Sequence, residues 1–135
     1  MRRPVSGVRM ILGVGIDLIE VERIRASQAR FGERFLRRIL HEREVAYCQS
    51  HRDPAPFLAA RFAAKEAISK AFGTGIGSQL GWLDMEVGRR ETGEPFVILH
   101  GKALDLLARR GATTVLLSLS HTQQHATAVA LLVRE

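Results

Sequence analysis

FAAKEAISKAFGTG, at residues 62–75, decides the fold of this chain. Alanine, phenylalanine and isoleucine recur in it at helical spacing, which predicts the end of a buried helix that stops at the glycines. Lys65, Glu66 and Lys70 interrupt this apolar pattern. Because burial of an unpaired ion costs several kcal/mol, each of these charges needs a partner or a ligand.

The composition predicts a single globular domain. The chain has 135 residues, 46% hydrophobic and 25% charged, and such values are typical of globular proteins. Its longest apolar run, ATAVALLV, is far shorter than the roughly 20 residues of a membrane span. We expect the domain to cover residues 10–135, with residues 1–9 as a mobile N-terminal extension and Met10 as an alternative start.

The single cysteine, Cys48, argues against a secreted scaffold held by disulfides, because one thiol cannot form an intrachain bond. It favours a reducing cytoplasm. We interpret Cys48 as a packed helical thiol, with a nucleophilic thiol as the alternative.

Positive charge is concentrated in the N-terminal part of the chain. The net charge is +6, and residues 1–52 hold eleven arginines against six acidic residues. Arg23 and Arg30 are seven residues apart and point the same way on a helix, and Arg37 continues this surface. The pattern indicates an anionic partner: a nucleic acid, a phosphorylated ligand or an acidic protein. Nucleic acid is disfavoured, since there is no aromatic interleaving, zinc pattern or recognition helix.

Hydrophobic periodicity predicts an α+β fold with a mainly antiparallel sheet packed against a long helix. The predicted elements are a strand at 10–18, a helix at 20–31 stopped by Gly32, two short helices, a long helix at 55–72 opened by Pro54 or Pro56, a glycine-rich loop at 73–81, a hairpin from WLDMEVGRR and PFVILHG, a helix ended by Gly111, and a second hairpin with TQQ at its turn.

The first strand places Gly13, Gly15 and Asp17 on one face. Two positions without side chains leave room for a close approach to the backbone beside the carboxylate. The alternative is a tightly packed strand whose aspartate caps the next helix.

Glu66 and Lys70 are four residues apart and share one side of the long helix. This spacing suits a surface salt bridge, or a carboxylate held for a ligand. If the fold brings Asp17 to Glu66, the two supply hard oxygen ligands that suit Mg²⁺ with phosphate oxygens. Nearby lysines and arginines would neutralise those phosphates, so the set fits diphosphate chemistry.

SLSHTQQHA contains two serines and two histidines, which raises the question of a serine hydrolase. Ser120 and His121 are adjacent on a predicted strand and point to opposite faces, and no GxSxG elbow is present. We interpret His121 as a phosphate or base contact, with a packed histidine as the alternative. GTGIGS lacks the spacing of a nucleotide-binding loop, so we interpret it as a helix stop whose backbone can lie against a ligand.

Three segments, GVGIDLIEVERI, FAAKEAISKAFGTGIG and SLSHTQQHATAVA, resemble the holo-acyl-carrier-protein synthases, the small bacterial 4′-phosphopantetheinyl transferases. The signatures GIDxxxxxR and FxxKEAxxKA carry the resemblance, which runs from about Met10 to Val133. It implies a cytoplasmic enzyme of fatty acid biosynthesis and lipid metabolism. Such an enzyme moves the 4′-phosphopantetheine arm of coenzyme A onto a serine of an apo acyl carrier protein, and it releases adenosine 3′,5′-bisphosphate in a Mg²⁺-dependent reaction.

The resemblance also implies roles for individual residues. Asp17 and Glu66 match the Mg²⁺ carboxylates, and the proton acceptor is Glu66, Asp17 or a metal-bound water. Lys70 would stabilise charge on the diphosphate. The positions matched to coenzyme A binding are Arg61, Lys65, Lys70, Gly73 and His121.

The family further implies a homotrimer with active sites at its interfaces, and an acidic carrier docked on Arg23, Arg30 and Arg37. His41 stands where relatives often carry a threonine, and the resemblance gives it no role. Two alternatives rest on the residues alone. A Mg²⁺-dependent phosphohydrolase leaves the arginine surface unexplained, and a basic adaptor for acidic proteins leaves Asp17, Glu66 and Lys70 unexplained.

Overall fold

The computed structural model of the protein describes residues 10–135, so the expected extension at 1–9 lies outside the described residues. The fold is α+β, as predicted. In chain order its elements are β1 (Met10–Glu20), α1 (Val21–Phe31), α2 (Glu33–Ile39), α3 (Glu42–Gln49), α4 (Ala55–Phe72), a 3₁₀ turn (Trp82–Asp84), β2 (Met85–Arg89), β3 (Pro95–Leu99), α5 (Lys102–Arg109), β4 (Thr114–His121) and β5 (His125–Arg134).

The strands form two antiparallel sheets. One has the order β1-β5-β4, and the other is the ribbon of β2 and β3. The long helix α4 packs on the three-stranded sheet, as predicted. Strand β1 runs to Glu20, two residues beyond the predicted end, and the Val21 backbone N–H then donates to Gln124 O at 2.8 Å. This bond ties the start of α1 to the predicted turn between β4 and β5.

Helix α4 lies unusually close to β1. A Cβ atom on Gly13 would lie 2.0 Å from Ala71 O, and one on Gly15 would lie 1.8 Å from Ala67 O. The side-chain-free positions of β1 therefore admit the backbone of α4 itself. This contact holds the α4 residues around Glu66 against the strand that carries Asp17.

The other face of the sheet is apolar and uncovered in a single chain. Val14, Ile16 and Leu18 alternate with the inward-facing residues of β1 and are 59%, 64% and 68% exposed. Val129 of the neighbouring β5 is 36% exposed. Contiguous exposed apolar surface of this kind marks an interaction site.

Glycines end the helices where the sequence predicts. Gly32 and Gly73 have φ of 59° and 82°, the left-handed region that glycine adopts without a Cβ penalty. None of the helices in residues 10–135 combines the length and apolarity that a membrane span requires.

Candidate active site

The fold brings Asp17, Glu66 and Lys70 together at the edge of the sheet formed by β1. The Lys70 ammonium donates to Asp17 Oδ1 at 3.2 Å and to Ile16 O at 2.9 Å. Thr127 of β5 donates its hydroxyl to Asp17 O at 2.8 Å, which fixes this part of β1. Lys70 is half exposed, whereas the Asp17 side chain is 17% exposed. The Lys70 ammonium is thus held in place by two hydrogen bonds and is still accessible to solvent.

The electrostatics of this cluster favour a cation beside its carboxylates. Burial raises the pKa of Glu66 above its ordinary value, and the nearby Asp17 carboxylate raises it further, while Lys70 opposes both effects. Two carboxylates and one ammonium thus lie near one another in a partly buried place. Lys70 already occupies the position of a cation beside Asp17. Hard carboxylate oxygens are the ligands that Mg²⁺ prefers, so this donor set fits a magnesium ion.

A second cluster lies where β4 ends. Arg61, Arg89 and His121 line one pocket together with Phe57. The guanidinium carbon of Arg61 lies 4.2 Å from the ring centroid of Tyr47, and that of Arg89 lies 5.2 Å from it. These contacts hold two positive charges side by side. The pocket therefore has the character of an anion site.

Arg61 also carries an unsatisfied donor. The residue is 2% exposed, and its Nε is buried without a hydrogen-bond partner among the described residues. Buried polar groups are almost always paired, so this N–H is an exception among the described residues. Sequence reasoning missed Arg89. It lies in the β2 and β3 ribbon, and nothing in GRRETGE indicates that the ribbon folds back toward His121.

Lys65 does not belong to either cluster, which corrects the prediction that it contacts coenzyme A. Its ammonium donates to Ile39 O at 2.6 Å, to Glu44 Oε1 at 2.8 Å and to Trp82 O at 3.2 Å. The side chain has no exposed surface, and its pKa is lowered by burial against the opposing effect of Glu44. An ammonium enclosed in this way cannot reach a phosphate, so Lys65 has a structural role.

Cys48 and Gly73, two further residues of the sequence analysis, lie outside both clusters. Cys48 is fully buried, and burial raises the pKa of its thiol to about 11, so the thiol is packed and is not a nucleophile at neutral pH. Gly73 ends α4 in the left-handed conformation, where its N–H donates to Lys70 O at 3.0 Å. Its proposed contact with the pantetheine arm stays a prediction.

The arginine surface is arranged differently from the predicted set. Arg30, Arg34 and Arg38 line a groove floored by Phe31 and Phe35. Gly32 breaks the helix between α1 and α2, so the seven-residue spacing from Arg23 to Arg30 does not continue to position 37 on one helix. In consequence Arg23 and Arg37 do not line this groove. The spacing of four residues between positions 30, 34 and 38 gives no signal for the groove, because the break at Gly32 lies between the first two.

Fold and site together define a class of protein. The sequence profile of the 4′-phosphopantetheinyl transferase superfamily matches residues 13–130. The chain is 50% identical over 123 residues to a holo-[acyl-carrier-protein] synthase from Koribacter versatilis, covering 91% of this chain and 98% of that protein.

Solved structures agree with the sequence comparison. The holo-[acyl-carrier-protein] synthase from Neisseria meningitidis has a TM-score of 0.84 at 32% identity, covering 91% of this chain and 98% of that one. The enzyme from Helicobacter pylori, solved in complex with coenzyme A, has a TM-score of 0.79 at 31% identity, covering 88% and 98%.

The chain belongs to the 4′-phosphopantetheinyl transferase superfamily. Within it, the activity is that of a holo-[acyl-carrier-protein] synthase, an enzyme family of fatty acid synthesis that transfers phosphopantetheine from coenzyme A to apo acyl carrier protein. This confirms the expected activity over the phosphohydrolase and the non-enzymatic adaptor.

Proposed function

We propose that the transferase holds Mg²⁺ with Asp17 and Glu66 and binds the diphosphate of coenzyme A beside Lys70. The observation that carries this proposal is the meeting of the two carboxylates with the Lys70 ammonium on the β1 edge. When bound, the metal ion would neutralise charge that develops on the diphosphate during transfer.

The remaining chemistry falls to the protein's own groups and the carrier serine. The serine oxygen attacks the β-phosphorus and gives up its proton to an acceptor at the site, for which Glu66 and Asp17 are the candidate side chains. The bond from that phosphorus to the bridging oxygen breaks, and adenosine 3′,5′-bisphosphate leaves with the bridging oxygen. Lys70 is placed to stabilise the leaving phosphate, because its ammonium is held at the site by Ile16 O and still half exposed. The reaction belongs in the cytoplasm, which accords with the unpaired Cys48.

The test is transfer itself, measured as the mass gain of an apo carrier protein incubated with coenzyme A and Mg²⁺. Removal of divalent ions with a chelator should abolish the gain, and added Mg²⁺ should restore it. Asp17→Asn should lower the rate about 10²- to 10³-fold, as expected when one charged group that supports the transition state is lost. Full activity of this variant, or of the chelated enzyme, would remove Asp17 or the metal from the mechanism. Fatty acid and polyketide carriers, tried side by side, would identify the natural acceptor.

The active enzyme is, in our proposal, a homotrimer whose sites lie between chains. β1 and β4 lie on opposite sides of β5, so Asp17 and His121 are separated by about 10 Å of sheet. The carboxylate cluster and the Arg61 pocket thus occupy different edges. The uncovered apolar face around Ile16 gives a reason for chains to associate. A neighbour that brings its Arg61 and His121 to the first chain's Asp17 would complete one site.

Complementation between two inactive variants tests this arrangement. Asp17→Asn and His121→Ala chains, co-expressed, should form mixed trimers in which about a quarter of the interfaces carry both intact residues. Activity should therefore return in the mixture and be lost in each variant alone. If mixed trimers form and remain inactive, the two clusters act within one chain.

The groove of Arg30, Arg34 and Arg38 is the proposed docking site for the acidic carrier. Phe31, which is 54% exposed, offers an apolar contact inside a ring of positive charge, a combination suited to an acidic helix with apolar residues. Arg23 and Arg37 would extend the positive field at its margin. Arg34→Glu should raise the KM for carrier about tenfold while leaving the KM for coenzyme A unchanged. Arg109→Glu on α5, with the same change of charge, should affect neither, and an equal effect of both variants would contradict the docking site.

A further inference from the structure

Three potential metal ligands meet outside the active site: His41 at the start of α3, Glu86 in β2 and His100 after β3. One ligand atom from each lies within 4.8 Å of those of the other two. His100 Nε2 is 2.9 Å from Glu86 Oε1, and the His41 and His100 ring centroids are 4.8 Å apart. The structure thus gathers side chains from three segments that are far apart in the sequence.

The surroundings of the cluster are those of a built site. The Glu86 side chain is 3% exposed, so its carboxylate is buried between its partners. His41 Nε2 lies 2.8 Å from Leu83 O, and since a carbonyl oxygen only accepts, this nitrogen carries the hydrogen. The lone pair of His41 is then on Nδ1. Histidines that bind metals commonly donate their other ring N–H to a backbone carbonyl in this way.

We propose that His41, Glu86 and His100 form a second metal site, for Zn²⁺ or a similar transition ion. Two imidazoles and one carboxylate are a known zinc ligand set, whereas Mg²⁺ prefers oxygen ligands alone. The ion would take the place of the proton that now joins His100 Nε2 to Glu86. It would tie the start of α3 to the β2 and β3 ribbon, so its effect is on stability.

The neighbouring side chain of Arg43 disfavours metal binding and supplies a further variant for the test. The Arg43 guanidinium lies 3.0 Å from a Glu86 carboxylate oxygen, with its side chain 77% exposed. This charge repels a divalent cation and competes for the same oxygens. Arg43→Gln should therefore bind the metal more tightly than the unchanged protein does.

The experiment is a Co²⁺ titration of protein without a polyhistidine tag, in excess Mg²⁺, followed by visible absorption. One equivalent of Co²⁺ should give the bands of a site with nitrogen ligands, and Zn²⁺ should displace it. His100→Ala should weaken binding at least about tenfold, a modest expectation for the loss of a ligand. The control His125→Ala, at the exposed first residue of β5, should bind as the unchanged protein does.

Stability gives a second readout. Zn²⁺ should raise the melting temperature of the unchanged protein and should not change that of His41→Thr. Threonine suits this control because it is a favourable residue at a helix start. The proposal is overturned if His100→Ala and the unchanged protein bind Co²⁺ equally. It is also overturned if the bands vanish in Asp17→Asn, because the ion would then sit at the active site.

Discussion

Lys65 and Lys70 lie five residues apart on the same helix, yet their surroundings are opposite. The Lys65 ammonium is fully enclosed and donates to three protein oxygens, one of them the Glu44 carboxylate. The Lys70 ammonium is half exposed and shares its carboxylate partner with the proposed metal. The comparison teaches that a charge on an apolar helix serves the fold when the protein completes its hydrogen bonds, and serves chemistry when it leaves the charge accessible.

Removal of the enclosed charge should have the largest effect on stability. Lys65→Met leaves Glu44 as a buried carboxylate without its cation, and loss of one partner from a buried pair costs about 3–5 kcal/mol of unfolding free energy. Glu44 would keep only the N–H groups of His41 and Val87. Urea unfolding measures the change.

Lys70→Met is the matched control, because it removes the same charge from the open end of α4. Its unfolding free energy should stay within about 0.5 kcal/mol of the unchanged protein, as for most surface substitutions. Its transfer rate should fall sharply. If both variants lost the same stability, the distinction between the enclosed and the open lysine would be wrong.

These two lysines also show how much of the structure could be predicted from the sequence. Strands and helices followed from periodicity, and the two signatures predicted that Asp17 and Glu66 belong to one site. The direction in which the Lys65 side chain points could not be predicted. Helix α4 is buried on nearly every side, so its sequence lacks the polar face that orients a surface helix. Arg89 depended on how the β2 and β3 ribbon packs, which is a long-range contact with no local pattern.

The second largest effect on stability should come from the contact between α4 and β1, which holds Asp17, Glu66 and Lys70 in place. Gly15→Ala would put a Cβ 1.8 Å from Ala67 O, and backbone must move to relieve the clash. Overpacking of this kind costs about 1–3 kcal/mol. Because α4 would shift against β1, the distance between Asp17 and Glu66 should change and Mg²⁺ affinity should fall.

Gly77→Ala provides the comparison for Gly15→Ala, since a Cβ at Gly77 would meet nothing within 4 Å. Thermal unfolding and Mg²⁺ titration of the two variants separate a general effect of lost glycine from the close approach of α4. A Gly15→Ala protein with unchanged stability and Mg²⁺ affinity would show that the cluster does not depend on that approach.

The smallest effect on stability should come from neutralising the partly buried carboxylate of Glu66. Folding raises the pKa of Glu66 through burial and Asp17, so the folded state binds this proton more tightly than the unfolded chain. The unchanged protein therefore loses stability relative to Glu66→Gln as pH rises from the ordinary value of 4.5 through the raised pKa. At neutral pH without metal the variant should be slightly more stable, within about 0.5 kcal/mol.

Mg²⁺ should reverse the order of these two proteins. The ion stabilises a protein that binds it in the folded state, by an amount that grows with its concentration. Melting temperatures should therefore rise with Mg²⁺ in the unchanged protein and stay constant in Glu66→Gln. Glu91→Gln, in the exposed turn between β2 and β3, should respond to Mg²⁺ as the unchanged protein does. An equal response of all three would place the metal away from Glu66.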